Sequence, residues 1–200
     1  MRFFTLDDPL LRSAFRGSVG NGDKVGVFWK ALSGAQIRLD ALNVSYFSGK
    51  RLHDFVWTAA TVPLVNERVR DVLSRHQLLG WSSYQIRLFD QDDHFVPGYS
   101  GLAVTGRCAS ISFNKRAEAV VYKVNRNGLP IPYFKGLCFD LGAWDGSDFF
   151  MGADEKNGWI VVSERVESLF KTQKITNCRF TPVEEVELIA QKSDIQPTVN

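Results

Sequence analysis

The chain has 200 residues, of which 44% are hydrophobic and 23% are charged, and its formal net charge is +2. This composition is that of an ordinary globular protein with enough apolar residues for one well-packed domain. The small charge gives no support for binding to nucleic acid or to an anionic membrane surface, and no run of about 18 apolar residues is present to span a bilayer. We expect a single globular domain over residues 1–190 and a disordered polar tail over residues 191–200.

The beginning of the chain and its cysteines both predict a cytoplasmic protein. Residues 1–8 contain acids where a signal peptide would need an apolar stretch. Cys108, Cys138 and Cys178 are odd in number and far apart in the sequence, which favours buried, reduced thiols over disulfides.

Residues 1–60 have the pattern of an irregular, strand-rich segment. A glycine-rich turn at 17–23 precedes a predicted strand at 25–29, and the alternation at 37–42 predicts another. The turn lacks the Gly-Lys-Ser/Thr ending with which a phosphate-binding loop reaches phosphates and magnesium, so we interpret it as a plain turn. A short element begins near His53.

A strand–helix–strand unit follows at residues 64–89. Asn66 can cap a helix by accepting a hydrogen bond from a free amide of the first turn, and Glu67 places negative charge where the helix dipole favours it. The helix is predicted to bury an apolar stripe at helical spacing, which consists of Val69, Val72 and Leu73. Gly80 marks the exit, and residues 85–89 alternate as a strand.

The densest acidic cluster of the chain lies directly after that strand. Asp side chains often bond their own backbone in turns, so a solvated hairpin turn is the simplest interpretation. A calcium loop starting at Asp90 would need Gly at position 95 and Glu at position 101, where the chain has Phe95 and Gly101. The alternative is a surface that binds a protein partner through Asp90, Asp92 and Asp93, and we expect no metal.

Residues that could carry catalysis form no recognised constellation. The histidines are not spaced as a helical pair, and none lies near a cysteine at zinc-ligand spacing. The segment 98–102 ends in Leu102 where a nucleophile elbow needs glycine. Asp140, Asp145 and Asp148 are the best remaining carboxylates, with turn formation as the simpler role and general acid–base work as the alternative. We predict no catalytic residue and no cofactor.

The strand–helix–strand order then occurs a second time. Ser163 stands 97 positions after Asn66 and is predicted to cap a second helix, with Glu164 in its first turn. The apolar stripe of this helix consists of Val166, Leu169 and Phe170. A strand at 178–183 follows. Between the two units, further strands are predicted at 102–105, 119–124 and 136–140.

A repeat of about half the chain length predicts internal symmetry. We expect an α+β protein with a strand-rich mixed or antiparallel sheet and two equivalent short helices that derive from the internal repeat. The two related halves are predicted at about residues 50–105 and 135–190.

The second unit resembles the C-terminal signature of immunity protein family 11 of bacterial polymorphic toxin systems. The shared features are a Ser-Glu-Arg helix start at 163–165 and a strand that ends in Phe-x-Pro-Val at 180–183. An earlier region of the same order is also typical of the family, so the resemblance spans about residues 50–187. The chain departs from the pattern in its first unit, where Asn66 replaces the capping serine and no Pro-Val follows the strand.

The resemblance implies a cytoplasmic protein that binds a cognate toxin and neutralises it by stoichiometric occlusion, without chemistry of its own. If the toxin acts on nucleic acid through a basic cleft, the contact would be made by Asp90, Asp92 and Asp93. Aromatic residues could anchor the partner, although packing in the core or between strands is the simpler role, and the candidates are Trp81, Tyr84 and Trp144.

Two other functions stay open on the sequence alone. An enzyme that acts on a small molecule or on a toxin's modification would use the segment Asp140–Asp148 and would rescue cells in less than stoichiometric amounts. A non-catalytic adaptor of a toxin-delivery system would bind without rescuing growth.

Overall fold

The computed structural model describes residues 1–19, 30–33, 42–59, 62–115, 120–153 and 158–191. Within these ranges strands outnumber helices, which confirms the predicted α+β class with a mixed sheet and short helices. The predicted strand at 25–29, most of the predicted strand at 37–42, part of the turn at 17–23 and the tail from residue 192 lie outside the described residues.

The strands of the described ranges are β1 (Phe3–Asp7), β2 (Arg16–Val19), β3 (Leu42–Ser48), β4 (Phe55–Thr58), β5 (Pro63–Asn66), β6 (Trp81–Phe89), β7 (Phe95–Val96), β8 (Tyr99–Val104), β9 (Gly106–Cys108), β10 (Ser112–Phe113), β11 (Val120–Val124), β12 (Pro130–Lys135), β13 (Leu137–Cys138), β14 (Phe149–Gly152), β15 (Val161–Ser163), β16 (Arg179–Pro182) and β17 (Glu187–Ile189). Helix α1 (Glu67–Arg75) follows β5, and helix α2 (Glu164–Thr172) follows β15. Residues 30–33 are also helical, and short 3-10 turns lie at Leu141–Ala143 and Val183–Glu185.

Two large sheets dominate the fold. The first has seven strands in the order β3-β2-β4-β5-β8-β6-β7, and a further pairing of β3 with β6 closes it on itself. The second has five strands in the order β16-β1-β15-β14-β9. Both sheets are mixed: β4 in the first and β14 in the second each have an antiparallel neighbour on one side and a parallel neighbour on the other. Smaller sheets consist of β11-β12-β17 and of β10-β13.

Both helices begin at the predicted residues. Asn66 is the N-cap of α1, and its side-chain oxygen accepts a 3.1 Å hydrogen bond from the amide of Val69. Ser163 is the N-cap of α2, but its hydroxyl makes no capping bond and instead donates to Asp148 at 2.8 Å. The predicted capping bond of Ser163 is wrong: the hydroxyl donates to the buried carboxylate of Asp148, and its oxygen accepts no bond from an amide of the first turn.

The helices bury the apolar faces that their spacing predicts. In α1 the whole predicted stripe is buried. In α2 Val166 and Phe170 are buried, whereas Leu169 is half-buried. Most of the stability of helices this short comes from such packing, because an isolated helix of about nine residues is marginal in water.

One apolar cluster is shared by the two large sheets and both helices. It contains Phe55 and Leu102 of the seven-stranded sheet, Phe149 of the five-stranded sheet, Leu73 of α1 and Phe170 of α2. Each of these side chains is at most 1% exposed. Burial of one such side chain is worth about 1.5–3 kcal/mol, so this cluster joins both sheets in one folding unit.

The two large sheets repeat one arrangement. In each, a strand pairs antiparallel with the next strand, which leads into a helix and then into a further strand. After each helix the chain passes through left-handed residues at matching positions. The φ angle is 51° at Gln77 and 84° at Gly80 after α1, and 52° at Lys174 and 61° at Asn177 after α2. The predicted equivalence of the two helices therefore extends to the turns that end them.

The halves also exchange strands. If the chain is divided before β8, the first strand of each half lies in the sheet of the other half. β8 pairs with β5 and β6, and β1 pairs with β15 and β16 in the same way. Gly101 of β8 lies opposite Leu64, and Thr5 of β1 lies opposite Val161, which stands 97 positions after Leu64. The two halves are thus interlocked rather than placed side by side.

Candidate functional site

Two buried carboxylates, Asp54 and Asp148, stand directly before β4 and β14. Asp54 accepts hydrogen bonds from the side-chain amide of Asn66 at 3.0 Å and from the backbone amide and hydroxyl of Thr176, both at 2.8 Å. The guanidinium of Arg68 adds an ion pair at 3.0 Å. Burial opposes the charge on Asp54, but these partners outweigh it and lower the pKa of the carboxyl.

Asp148 makes the corresponding contacts in the second half. It accepts a hydrogen bond from the Ser163 hydroxyl at 2.8 Å and one from the amide of Leu79 at 3.0 Å, and it pairs with Arg165 at 3.3 Å. Ser163 and Arg165 stand 97 positions after the equivalent partners of Asp54. The same two positions of the repeated motif therefore serve both carboxylates.

Each arginine of the repeated motif also reaches the end of the other half's helix. Arg68 donates to the carbonyl of Gln173, the C-cap of α2, and Arg165 donates to the carbonyl of His76, the C-cap of α1. Carbonyls at a helix C-terminus lack an intrahelical partner and carry partial negative charge, so a guanidinium stabilises them. Asp54 with Arg68 and Asp148 with Arg165 thus form two reciprocal clamps between the halves, and their role is structural.

One sequence signal for these clamps lies outside the short repeat. In each half an aspartate stands directly before an apolar strand. Asp54 precedes the cap residue Asn66 by 12 positions, and Asp148 precedes the cap residue Ser163 by 15 positions. Because the two spacings differ, a repeat of fixed period does not reveal that these aspartates are equivalent.

The three candidate aspartates lie together in the hairpin turn between β6 and β7. Asp90 organises this turn, since its carboxylate accepts hydrogen bonds from the amides of Asp92 and His94, both at 2.9 Å. The bond from His94 is the main cause that lowers the pKa of Asp90. Asp92 and Asp93 are exposed. Two carboxylates are therefore available to a partner on a turn that the third holds in shape.

A cleft of about 160 Å³ lies beside this turn. It is lined by Phe15, Tyr46 and Lys50 together with Asp90 and Asp92. Phe15 is buried and Tyr46 is half-buried, so aromatic side chains form one part of the wall. The two carboxylates outnumber the ammonium group of Lys50, so the cleft carries net negative charge. Aromatic and acidic walls suit a partner's lysine or arginine, whose long stem is apolar and whose head is cationic.

The same turn brings three metal-ligating side chains together. Asp90, Asp92 and His94 each place one ligand atom within 4.8 Å of the others. The His94 side chain is 79% exposed, and one oxygen of Asp90 already accepts two amides. Calcium takes roughly six to eight oxygen ligands and structural zinc about four, so this exposed group does not define a metal site by itself.

The structure does not join the three carboxylates of the segment Asp140–Asp148 into one site. Asp140 accepts a 2.8 Å bond from an amide of its own turn. Asp145 accepts from the amide of Arg107 at 2.7 Å and from the amide and hydroxyl of Ser147. Burial opposes the charge on Asp145, but these bonds outweigh it and lower its pKa. Asp148 belongs to the clamp, so each carboxylate has its own structural partners.

The three candidate anchor aromatics are half-buried and pack within the fold. Trp81 packs against the shared core, and Trp144 meets Phe3 edge-on at 5.2 Å. The ring of Tyr84 covers Gly101 so closely that a Cβ there would come within 2.0 Å of it. These contacts favour the packing role over the anchor role for all three residues.

No disulfide joins the three cysteines, all of which the structure describes. Cys108 is buried, and Cys178 is half-buried, where burial raises its pKa to about 12. Cys138 is exposed, so the prediction of three buried thiols is wrong at this position. Successive side chains of a strand point to opposite faces, and Leu137 takes the inward position of β13.

No protein-family model matches the sequence of this chain, and no curated protein matches it. Within the described ranges, no helix has the length and apolar character needed to cross a membrane.

Proposed function

We propose that this chain is a cytoplasmic immunity protein that binds a cognate bacterial toxin and blocks it by occlusion in a fixed ratio. The resemblance of its second unit to immunity protein family 11 motivates this role. The observation that carries it is the acidic turn, in which Asp92 and Asp93 are exposed on a backbone fixed by the bonds of Asp90. A turn that is already ordered loses little conformational entropy on binding.

The proposed partner surface is basic. A toxin that acts on nucleic acid needs lysines and arginines to neutralise phosphates, and such a cleft is complementary to the acidic turn. The neighbouring cleft of about 160 Å³ would receive one of these basic side chains. Opposite charges on the two proteins would also accelerate their encounter, as an inhibitor of a toxin requires.

Co-expression with the protein encoded by the adjacent reading frame tests this proposal. Wild-type protein should restore the growth of cells that produce the toxin, and the two chains should purify together in a constant ratio. The double variant Asp92→Asn/Asp93→Asn should rescue growth less well. The matched control Glu184→Gln/Glu185→Gln removes the same charge from two other exposed positions and should rescue fully.

The alternatives predict different outcomes of the same experiment. An enzyme would rescue at a small fraction of the toxin's concentration and would lose rescue with Asp140→Asn or Asp145→Asn. An adaptor would bind the neighbouring protein without restoring growth. If the wild-type protein neither restores growth nor binds the neighbouring protein, the proposed function is wrong.

A further inference from the structure

The hairpin formed by β11 and β12 exposes an apolar strand at the edge of a sheet. Across the described ranges, β11 has a sheet neighbour on one side, which is β12. Tyr122 and Val124 of this strand are 66% and 73% exposed. Edge strands pair readily with another chain unless a proline, a bulge or an outward lysine blocks them.

Strand β11 has none of these protections. It contains no proline, and it pairs with β12 without a shift in register. Its one charged residue, Lys123, forms an ion pair with Glu187 of β17 and stands 5.4 Å over the ring of Tyr133. The ammonium group is therefore directed across its own sheet and does not block pairing at the open edge.

The turn of the hairpin shows which backbone groups face the open edge. The amide of Asn125 donates to the carbonyl of Leu129 at 2.9 Å, so Asn125 is bonded across the hairpin. Bonding direction alternates along an antiparallel strand, so the residues two and four positions earlier also face β12. The residues whose N–H and C=O groups face outward are therefore Val120, Tyr122 and Val124.

We propose that β11 pairs antiparallel with β11 of a second copy of this chain, around a two-fold axis at Tyr122. The outward-facing positions of the strand, which are Val120, Tyr122 and Val124, read the same in both directions. This register sets Val120 opposite Val124 of the second copy and Tyr122 opposite its own equivalent. Each of these outward-facing pairs exchanges two backbone hydrogen bonds. The contact uses the same surface on both copies, so it closes at a dimer.

Charge and size decide how strong this contact is. In the proposed register Lys123 lies opposite Val121 of the second copy, so no like charges are opposed, and Glu187 balances Lys123 within its own copy. A pairing of one five-residue strand is smaller than the standard interface of about 1,600 Å². The dimer should therefore form in the micromolar range or more weakly, and it should depend on protein concentration. The proposed dimer is independent of the toxin-binding role.

Sedimentation velocity over a wide concentration range tests the proposal directly. Wild-type protein should shift from monomer towards dimer as its concentration rises. Tyr122→Lys places two like charges at the axis and should weaken association at least about tenfold. If this variant is misfolded by circular dichroism, Val124→Asp serves the same purpose, because its side chain is also exposed. Asn127→Asp, in the exposed hairpin turn, is the control and should leave association unchanged.

Cross-linking tests the register. In a Cys138→Ser background, which removes the exposed native thiol, Tyr122→Cys should form a disulfide-linked dimer on mild oxidation, whereas Val121→Cys should not. A chain that stays monomeric at every concentration overturns the proposal, as does a dimer that is insensitive to both Tyr122→Lys and Val124→Asp. Assemblies that grow beyond two copies would indicate head-to-tail pairing of β11 with β17 and would overturn it as well.

Discussion

At the scale of single residues, Asp54 and Asp148 organise the polar interior of this protein. Each accepts hydrogen bonds from both halves of the chain, and each is paired with an arginine of the repeated motif. The Asp54 and Asp148 side chains are 8% and 10% exposed, so their bonds are made where water competes little. Removal of an aspartate acceptor should therefore lower the free energy of unfolding more than removal of one of its donors.

Substitution of Asp54 tests this expectation. Asp54→Ala leaves the amide and hydroxyl of Thr176 and the side chain of Asn66 without their acceptor, which should cost at least about 2 kcal/mol of unfolding free energy. Arg68→Ala should cost about 1 kcal/mol or less, because the Arg68 side chain is 49% exposed. Urea unfolding measures both values. Asp92→Ala, on the exposed turn, is the control, and an equal effect of Asp54→Ala and this control would refute the clamp.

The lowered pKa of Asp54 also predicts a pH dependence. A carboxyl whose pKa is lower in the folded state stabilises the protein above its unfolded pKa, near 3.8, and this stability is lost as the pH falls through the lower folded value. Asp7 has the opposite effect on the pH dependence of stability, because burial raises its pKa. Comparison with Asp54→Asn isolates the Asp54 contribution. The stability difference between wild type and Asp54→Asn should shrink as the pH falls below about 4, and a difference that stays constant would contradict the assignment.

At the scale of elements, local sequence signals predict the helices, whereas strand β1 and the hydrogen bond of Ser163 depend on contacts between residues far apart in the chain. The cap residues and the apolar stripes are local, and both helices begin where these signals place them. The sequence pattern does not predict strand β1. Its residues Phe3, Phe4, Thr5 and Leu6 are all buried, so the strand shows no alternation of apolar and polar residues. The bond between Ser163 and Asp148 joins residues 15 positions apart, and helix-capping rules do not anticipate it. The acidic turn is predicted correctly because turn chemistry is local.

The N-cap of α1 gives a test at this scale. Asn66→Ala removes the bond to the amide of Val69 and the bond to Asp54, which should cost about 1–2 kcal/mol of stability. Asn66→Ser keeps a hydroxyl that can accept from the amide of Val69 or donate to Asp54, as Ser163 donates to Asp148, so it should be less destabilising. Thermal unfolding of the two variants measures the difference. Equal destabilisation would show that a hydroxyl at this position replaces neither bond of Asn66.

At the scale of the whole molecule, the exchange of β1 and β8 and the shared apolar cluster join the two halves. Unfolding should therefore be a single cooperative transition. Tryptophans report on both halves, with Trp57 and Trp81 in the seven-stranded sheet and Trp159 beside β15. Fluorescence and far-ultraviolet circular dichroism should give the same urea midpoint. Two separate transitions would show that the halves unfold independently.

The proposed function requires that the acidic turn bind a basic toxin surface in a fixed ratio. Calorimetric titration of this protein into the purified protein of the adjacent reading frame tests this requirement most directly, at low and at high salt. We expect one molecule bound per toxin, an affinity that falls as salt rises, and at least about tenfold weaker binding by Asp92→Asn/Asp93→Asn. Saturable binding that is insensitive to salt and equal for the variant and the wild type would contradict this requirement.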